Sequence, residues 1–181
     1  LSLVIAPLRD MEKISGNDFP GKYYLNMALK NSDKLYSLVT RLLDFQKMEA
    51  ALTKPSYSPV DIVSYLTQKA DEFSIVGEKK NVAIEVSLPI NTVFAEVDFE
   101  RLDHILDNLI SNAIKYSKKD GRVELRMWLH GRYLLFEVED NGIGIPRKEH
   151  KKILNDFYRT DNAINSSEIG TGIGLAIARR L

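Results

Sequence analysis

The chain has 181 residues, 44% of them apolar and 28% charged, a composition suited to one ordinary globular domain or a small domain with a helical appendage. Its 25 basic and 25 acidic side chains cancel, so nothing in the overall charge calls for nucleic acid or an anionic membrane as partner. The lack of cysteine excludes disulfides and thiolate metal sites, and no apolar run approaches the roughly 18 to 20 residues that span a bilayer.

Leu1, Val4, Leu8 and Met11 recur at helical spacing, so residues 1–14 read as a helix, one with no capping residue ahead of it. SGNDFPG (15–21) reads as a turn. A second helix is expected from Tyr23 to about Ala51, where Ala28, Leu35, Leu38, Leu42 and Phe45 fall at coiled-coil-like spacing around a polar Asn31. Two helices with one apolar stripe each bury too little surface to stand alone. Pairing with a second copy into a four-helix bundle is the expected solution, with docking on the rest of the chain as the other. TKPSYSP (53–59) holds two prolines and reads as a linker.

The remainder alternates in an α+β manner. Val60 to about Lys80 reads as a helix, and VAIEVSL (82–88) and TVFAEV (92–97) as strands. Asp98 is the expected cap of a helix that runs to about Lys118. RVELRMWL (122–129) alternates and turns at His130-Gly131 into RYLLFEVED, a hairpin whose sheet needs helices over one face only.

Three motifs carry the chemistry. In DNLISNAIKYS (107–117), Asn108, Asn112 and Lys115 share one helix face beside a core stripe of Leu102, Leu106, Leu109 and Ala113. An Asn carbonyl oxygen suits Mg²⁺, and a Lys can meet phosphate as a point charge; by itself the face also reads as a solvated flank. In EDNGIGIP (139–146), Asp140 has the strand parity of Leu134, Phe136 and Val138. It should therefore point with the core residues, buried and in need of a donor such as a ligand's amino group. Gly142 and Gly144 then permit close backbone approach, although D-N-G also makes a simple turn. In GTGIGLAIARR (170–180), glycines precede a helix, the arrangement of an anion site, though weak evidence alone. The polar, aperiodic DNAINSSEI (161–169) before it suits a mobile lid.

The motifs are more specific in order than singly, Asp140 falling 28 residues after Asn112 and Gly170 a further 30 on. NLISNAIKYS, DNGIGIP, FYRTDN and GTGIGLA resemble the N, F and two G boxes of the sensor histidine kinases of two-component systems. The resemblance covers nearly the whole chain, and the wording around LLDFQKMEA and VDFERLDHILDNLISNAIKYS is similar to hybrid sensors of gut Bacteroidetes. It implies a dimerisation and phosphoacceptor hairpin over 1–52, a linker over 53–59, and a Bergerat-type α/β sandwich that binds ATP over 60–181. Asn112 would hold Mg²⁺ with Asn108 beside it, and Lys115 and Tyr116 would face phosphate and nucleotide. Asp140 would accept from the adenine amino group, with Gly142 and Gly144 shaping its pocket. Gly170, Gly172 and Gly174 would border the phosphates and hinge the lid, with Thr171 and Leu175 among the nucleotide contacts. Arg159 would approach the phosphates or the partner hairpin. The chain departs from the family at Leu154, where the F box usually has Phe.

The same resemblance sets the phosphorylated histidine six residues before Leu1, in a His-Glu-Leu-Arg-Thr-Pro box, and a strand hairpin after Leu181; the chain thus reads as a piece lacking its acceptor. His104, His130 and His150 read as surface histidines, none of them a substitute. The implied activity is ATP-dependent autophosphorylation on histidine, passed to an Asp of a response-regulator receiver domain. The setting is a homodimer on the cytoplasmic side of an inner-membrane sensor. The alternatives are a nucleotide-binding dimer scaffold without kinase activity, and another ATPase of the same fold.

Overall fold

The structure, a computed structural model, describes residues 8, 9, 11, 22–50, 54–89, 91–166, 168, 170 and 172–181; within 22–50 the side chains are described to 39 and at 42. The chain divides into two compact units, Leu1–Thr53 and Lys54–Leu181.

In the first unit, helix α1 spans Lys22–Ala50, one residue from the expected bounds at each end. Leu25 and Leu29 are buried, whereas Leu35, Leu38 and Leu42 are 50%, 45% and 46% exposed. The coiled-coil stripe is therefore presented outward. Leu8, Arg9 and Met11 are helical, and Arg9 Nη2 donates to Asp33 Oδ1 at 3.2 Å. The rest of the expected first helix, the turn at 15–21 and the Phe45 side chain lie outside the described residues.

The second unit runs β1 (Tyr57–Asp61), α2 (Ile62–Glu78), β2 (Val82–Ser87), β3 (Phe94–Asp98), α3 (Phe99–Tyr116), β4 (Gly121–His130), β5 (Tyr133–Asp140), α4 (Asp161–Asn165) and α5 (Gly174–Arg180). Short 3₁₀ turns lie at Arg147–Glu149 and Lys152–Leu154. β1 and β3 form an antiparallel ribbon. β2 lies parallel to β4, and β4 antiparallel to β5, in a sheet ordered β2-β4-β5.

Two sequence readings are corrected here. Tyr57–Pro59, taken as linker, belong to β1, and α2 starts at Ile62 rather than Val60. Asp61 explains the boundary: it ends the strand, and its Oδ1 caps the helix by accepting from Ser64 N at 3.4 Å. Pro59 is tolerated because β1 belongs to a two-stranded ribbon, with no second neighbour that would need its missing N–H.

Alternation along β4 leaves Val123, Leu125 and Met127 buried on one face. α2 and α3 cover that face with Ile62, Leu66 and Ala70, and with Leu106, Ile110, Ala113 and Ile114. Burying each large aliphatic side chain stabilises by about 1.5–3 kcal/mol. The stripe on α3 is thus not the expected one: Leu109 is only half-buried, and Ile110 and Ile114 take its place. Asp98 caps α3 as expected, Oδ1 accepting from Arg101 N at 3.2 Å. Its Oδ2 also accepts from Ser56 N at 3.0 Å, which ties the helix start to the chain entering β1. The β4–β5 turn is Gly131-Arg132, His130 being already paired with Tyr133.

Candidate functional site

The C-terminal half of α3 supplies the first wall. Asn108 Nδ2 donates to the His104 carbonyl at 2.9 Å, so the amide oxygen is turned outward. That oxygen lies 2.6 Å from the point a Cβ on Gly174 would occupy, and Asn112 Nδ2 lies 3.7 Å from the same point. One turn on, Lys115 and Tyr116 flank Gly170. A Cβ there would overlap Lys115 Nζ and stand 3.2 Å from the Tyr116 hydroxyl, while the Lys115 ammonium rests 4.9 Å from the centre of the Tyr116 ring, a cation–π contact. Gly170 and Gly174 are therefore packed along the same face that carries the two amides and the lysine.

The loop after β5 closes the end of α3. Ile143 N donates to the Tyr116 carbonyl at 3.1 Å. Gly142 passes so close that a Cβ would overlap that carbonyl and stand 2.7 Å from Asp140 Oδ1, so a side chain at 142 is excluded by backbone. Asn141 Oδ1 accepts from Arg122 N at 2.9 Å, which fixes the loop to the start of β4. Asp140 has the parity the sequence suggested, on the face of the half-buried Leu134, Phe136 and Val138 and opposite Val123 in register. It is exposed rather than buried, because it sits at the last position of the strand, and its Oδ1 accepts from Gly142 N at 2.8 Å.

Other named residues fall differently. Gly144 is exposed, with open space where a side chain would be. Gly172 adopts φ +73°, and a Cβ there would lie 2.5 Å from the Tyr158 carbonyl, so only glycine fits. Leu175 is half-buried in α5, and Thr171 lies outside the described residues. Leu154 is half-buried. Arg159 Nη2 donates to the carbonyls of Ala163 and Glu168, at 2.5 and 2.9 Å; the guanidinium organises the segment before the glycines. That segment is less irregular than its composition suggests, since the buried Thr160 caps a short helix, α4, by accepting from Ala163 N. The Tyr158 hydroxyl is pushed above its ordinary pKa by burial and by the Glu149 carboxylate.

Sequence reasoning missed Lys80. Its ammonium meets Glu168 Oε1 at 2.6 Å and the Lys115 carbonyl at 3.4 Å. It lies 88 positions from Glu168 in the chain, and no periodicity links the two.

Two amides on one helix face supply neutral, hard oxygens, which suit Mg²⁺ shared with phosphate and water. No cluster of three His, Cys, Asp or Glu side chains able to cage a metal occurs among the described residues. That donor set fits a cation held largely by its ligand's phosphates.

Residues 97–181 match the family described as "Histidine kinase-, DNA gyrase B-, and HSP90-like ATPase". Sensor histidine kinase WalK of Bacillus subtilis (strain 168) is 32% identical over 160 residues, 87% of this chain and 26% of WalK. The chain belongs to the sensor histidine kinases. It spans about a quarter of the length of WalK. Full-length ShkA in complex with AMPPNP superposes with a TM-score of 0.70 at 29% identity, over 98% of this chain and 36% of ShkA. Histidine kinase ThkA in complex with response regulator protein TrrA superposes at 0.64 over 88% of this chain and 46% of ThkA, with 18% identity, a likeness of fold. The mixed sheet under two helices fits the Bergerat-type domain of this family. The narrower likeness to Bacteroidetes hybrid sensors has no support among these relatives.

Proposed function

We propose that this chain binds ATP and Mg²⁺ between α3 and the two glycine segments, 141–144 and 170–174. In this reading it delivers the γ-phosphoryl group to a histidine on a helical hairpin that begins upstream of Leu1. The observation that carries the reading is the meeting of two sequence-distant glycine segments along α3. Asn108 and Asn112 lie at Gly174, Lys115 and Tyr116 at Gly170, and the Tyr116 carbonyl at Gly142 and Ile143.

Each residue then has a task. Asn112, with Asn108 beside it, holds Mg²⁺, which when bound neutralises charge on the phosphates. Lys115 meets phosphate as a point charge, and Tyr116 lies against the nucleotide. Asp140 accepts from the adenine amino group, with Gly142 allowing the base close to the backbone. Gly170, Gly172 and Gly174 border the phosphates. Transfer breaks the bond from the γ-phosphorus to the bridging oxygen and forms a phosphorus–nitrogen bond to the histidine, which demands in-line positioning more than covalent help from the site.

The half-exposed leucines of α1 support pairing with a second copy into a four-helix bundle. The phosphohistidine would pass its group to a receiver-domain Asp, as the pairing of ThkA with a response regulator suggests. No described helix is long and apolar enough to cross a membrane; we assign this part to the cytoplasmic side of an inner-membrane sensor.

The test is phosphate labelling. A chain that also carries the native residues upstream of Leu1 is incubated with Mg²⁺ and γ-labelled ATP, beside its Asn112→Ala variant. Acid-labile label that disappears in the variant is the expected result. Tight ATP binding without label would replace the kinase reading by a nucleotide-binding dimer scaffold.

A further inference from the structure

The segment that leads into Gly170 is held at one residue from two directions. The Glu168 carbonyl accepts from Arg159 Nη2 at 2.9 Å, and the Glu168 carboxylate meets Lys80 Nζ at 2.6 Å. Lys80 comes from the turn that ends α2. That turn is fixed, because Lys80 N donates to the Gly77 carbonyl at 2.9 Å, and Asn81 N to the Glu78 carbonyl at 3.1 Å. Asn81 holds φ +54°, a conformation Asn tolerates. The same ammonium reaches the Lys115 carbonyl at 3.4 Å, so the bridge lies directly beside the end of α3.

Two residues after this anchor, Gly170 lies against the Lys115 ammonium and the Tyr116 hydroxyl. Two residues of extended chain reach about 7 Å at most. While Glu168 stays in place, Gly170 has little room to leave these side chains. A polyphosphate paired with Lys115 would compete with Gly170 for the space at the ammonium.

We propose that the Lys80–Glu168 bridge is a latch that keeps Gly170 against Lys115 and Tyr116, so that opening it is a step in nucleotide entry. The idea rests on the nucleotide reading above and adds a positioning residue, Lys80, to it. The charges give the latch a direction. An incoming polyanion repels Glu168 and attracts Lys80, so the nucleotide itself loosens the bridge as it arrives. Both side chains remain partly exposed, 38% for Lys80 and 29% for Glu168, which keeps the bridge weak enough to open.

The experiment follows a fluorescent N-methylanthraniloyl ADP with Mg²⁺ by stopped flow. It compares the wild-type chain, Lys80→Met, Glu168→Gln and the swapped pair Lys80→Glu with Glu168→Lys. Amide hydrogen exchange across 161–170 is measured on the same four proteins without nucleotide. Both single variants should raise the association rate about two- to fivefold, the range of a half-exposed ion pair. Exchange in the segment should rise with it, and the swapped pair should return both towards wild type. Slower or weaker binding by Lys80→Met with faster binding by Glu168→Gln would overturn the latch and make Lys80 a phosphate contact. No change in either single variant would overturn it too. A wild-type chain without affinity for the nucleotide would remove the nucleotide reading, and entry control with it. The exchange data would then decide separately whether Lys80 restrains the segment.

Discussion

On the flank of α3 that meets α2, Asp103 and Asp107 both reach the Lys69 ammonium, at 2.5 and 2.7 Å, and the Tyr65 hydroxyl donates to Asp103 at 2.7 Å. About 140° around the helix, Asn108 and Asn112 face Gly174, and Lys115 lies on Gly170. Both flanks put polar side chains at the edge of the same core. On the first, opposite charges from a neighbouring helix close the network. The Lys69 side chain is only 7% exposed, and a buried charge stands only when so paired. On the second, neutral amides and a cation meet glycines, whose lack of a Cβ lets backbone pack where any side chain would overlap Lys115 or Asn108. Charge closed on itself is structure, whereas the polarity that faces glycine backbone is the part we assign to the nucleotide.

The comparison predicts that substitutions on the two flanks separate stability from binding. Lys69→Met should have the largest effect on stability, about 2–3 kcal/mol in urea unfolding, since it strands two carboxylates, discounted from the fully buried case because these are partly exposed. The folded variant should keep its nucleotide affinity within about twofold. Gly142→Ala comes next, at about 2 kcal/mol, since its methyl would meet the Tyr116 carbonyl and Asp140; here stability and nucleotide affinity should fall together.

Acid should act on the first flank. Burial raises the Asp103 pKa, but the bonds from Lys69 and Tyr65 outweigh it, so the group ends below its ordinary value. Its stabilising contribution is complete above the unfolded pKa of about 3.9 and is lost as pH falls through the lower folded value. The unfolding free energy of wild type should therefore drop more steeply below about pH 4 than that of Asp103→Asn.

Asn112→Ala should have the smallest effect on stability, within about 0.5 kcal/mol, with loss of Mg²⁺-dependent nucleotide binding read by calorimetry. If that variant unfolds while Lys69→Met merely loses nucleotide, the assignment of the two flanks is reversed.

Much of this architecture is legible in the chain. Asp98 as cap, the alternation of Val123, Leu125 and Met127, and the helix between 98 and 117 follow from local rules that tertiary structure does not override here. β1 is illegible because Pro59 argues against a strand and because β1 runs directly into α2, Asp61 into Ile62, with no turn to mark the boundary. Asp140 illustrates half an inference: strand parity gives its face, but burial depends on where the covering helix ends. Lys69 could not have been read as buried, since a lysine within an amphipathic helix reads as solvated until the carboxylates of α3 are in place. Leu109 and Ile110 differ by one position, and only the packing of α2 decides which faces the core. The three glycine and asparagine motifs announced themselves by order and spacing, whereas Lys80 and Glu168 carry no local signature.

The sheet order has a consequence for how the chain folds. β4 and β5 are joined by a two-residue turn and can pair early, on the timescale of a hairpin, whereas β2 pairs in parallel with β4 across nearly forty positions, from Val82 to Gly121. α3 lies inside that long excursion. Its docking and the closure of the sheet are one event, with the entropy of a large loop to overcome. The face that carries Asn108 and Asn112 thus meets Gly174 only when the slowest, least local contacts have formed, and nucleotide affinity regained during refolding would time the last step of assembly.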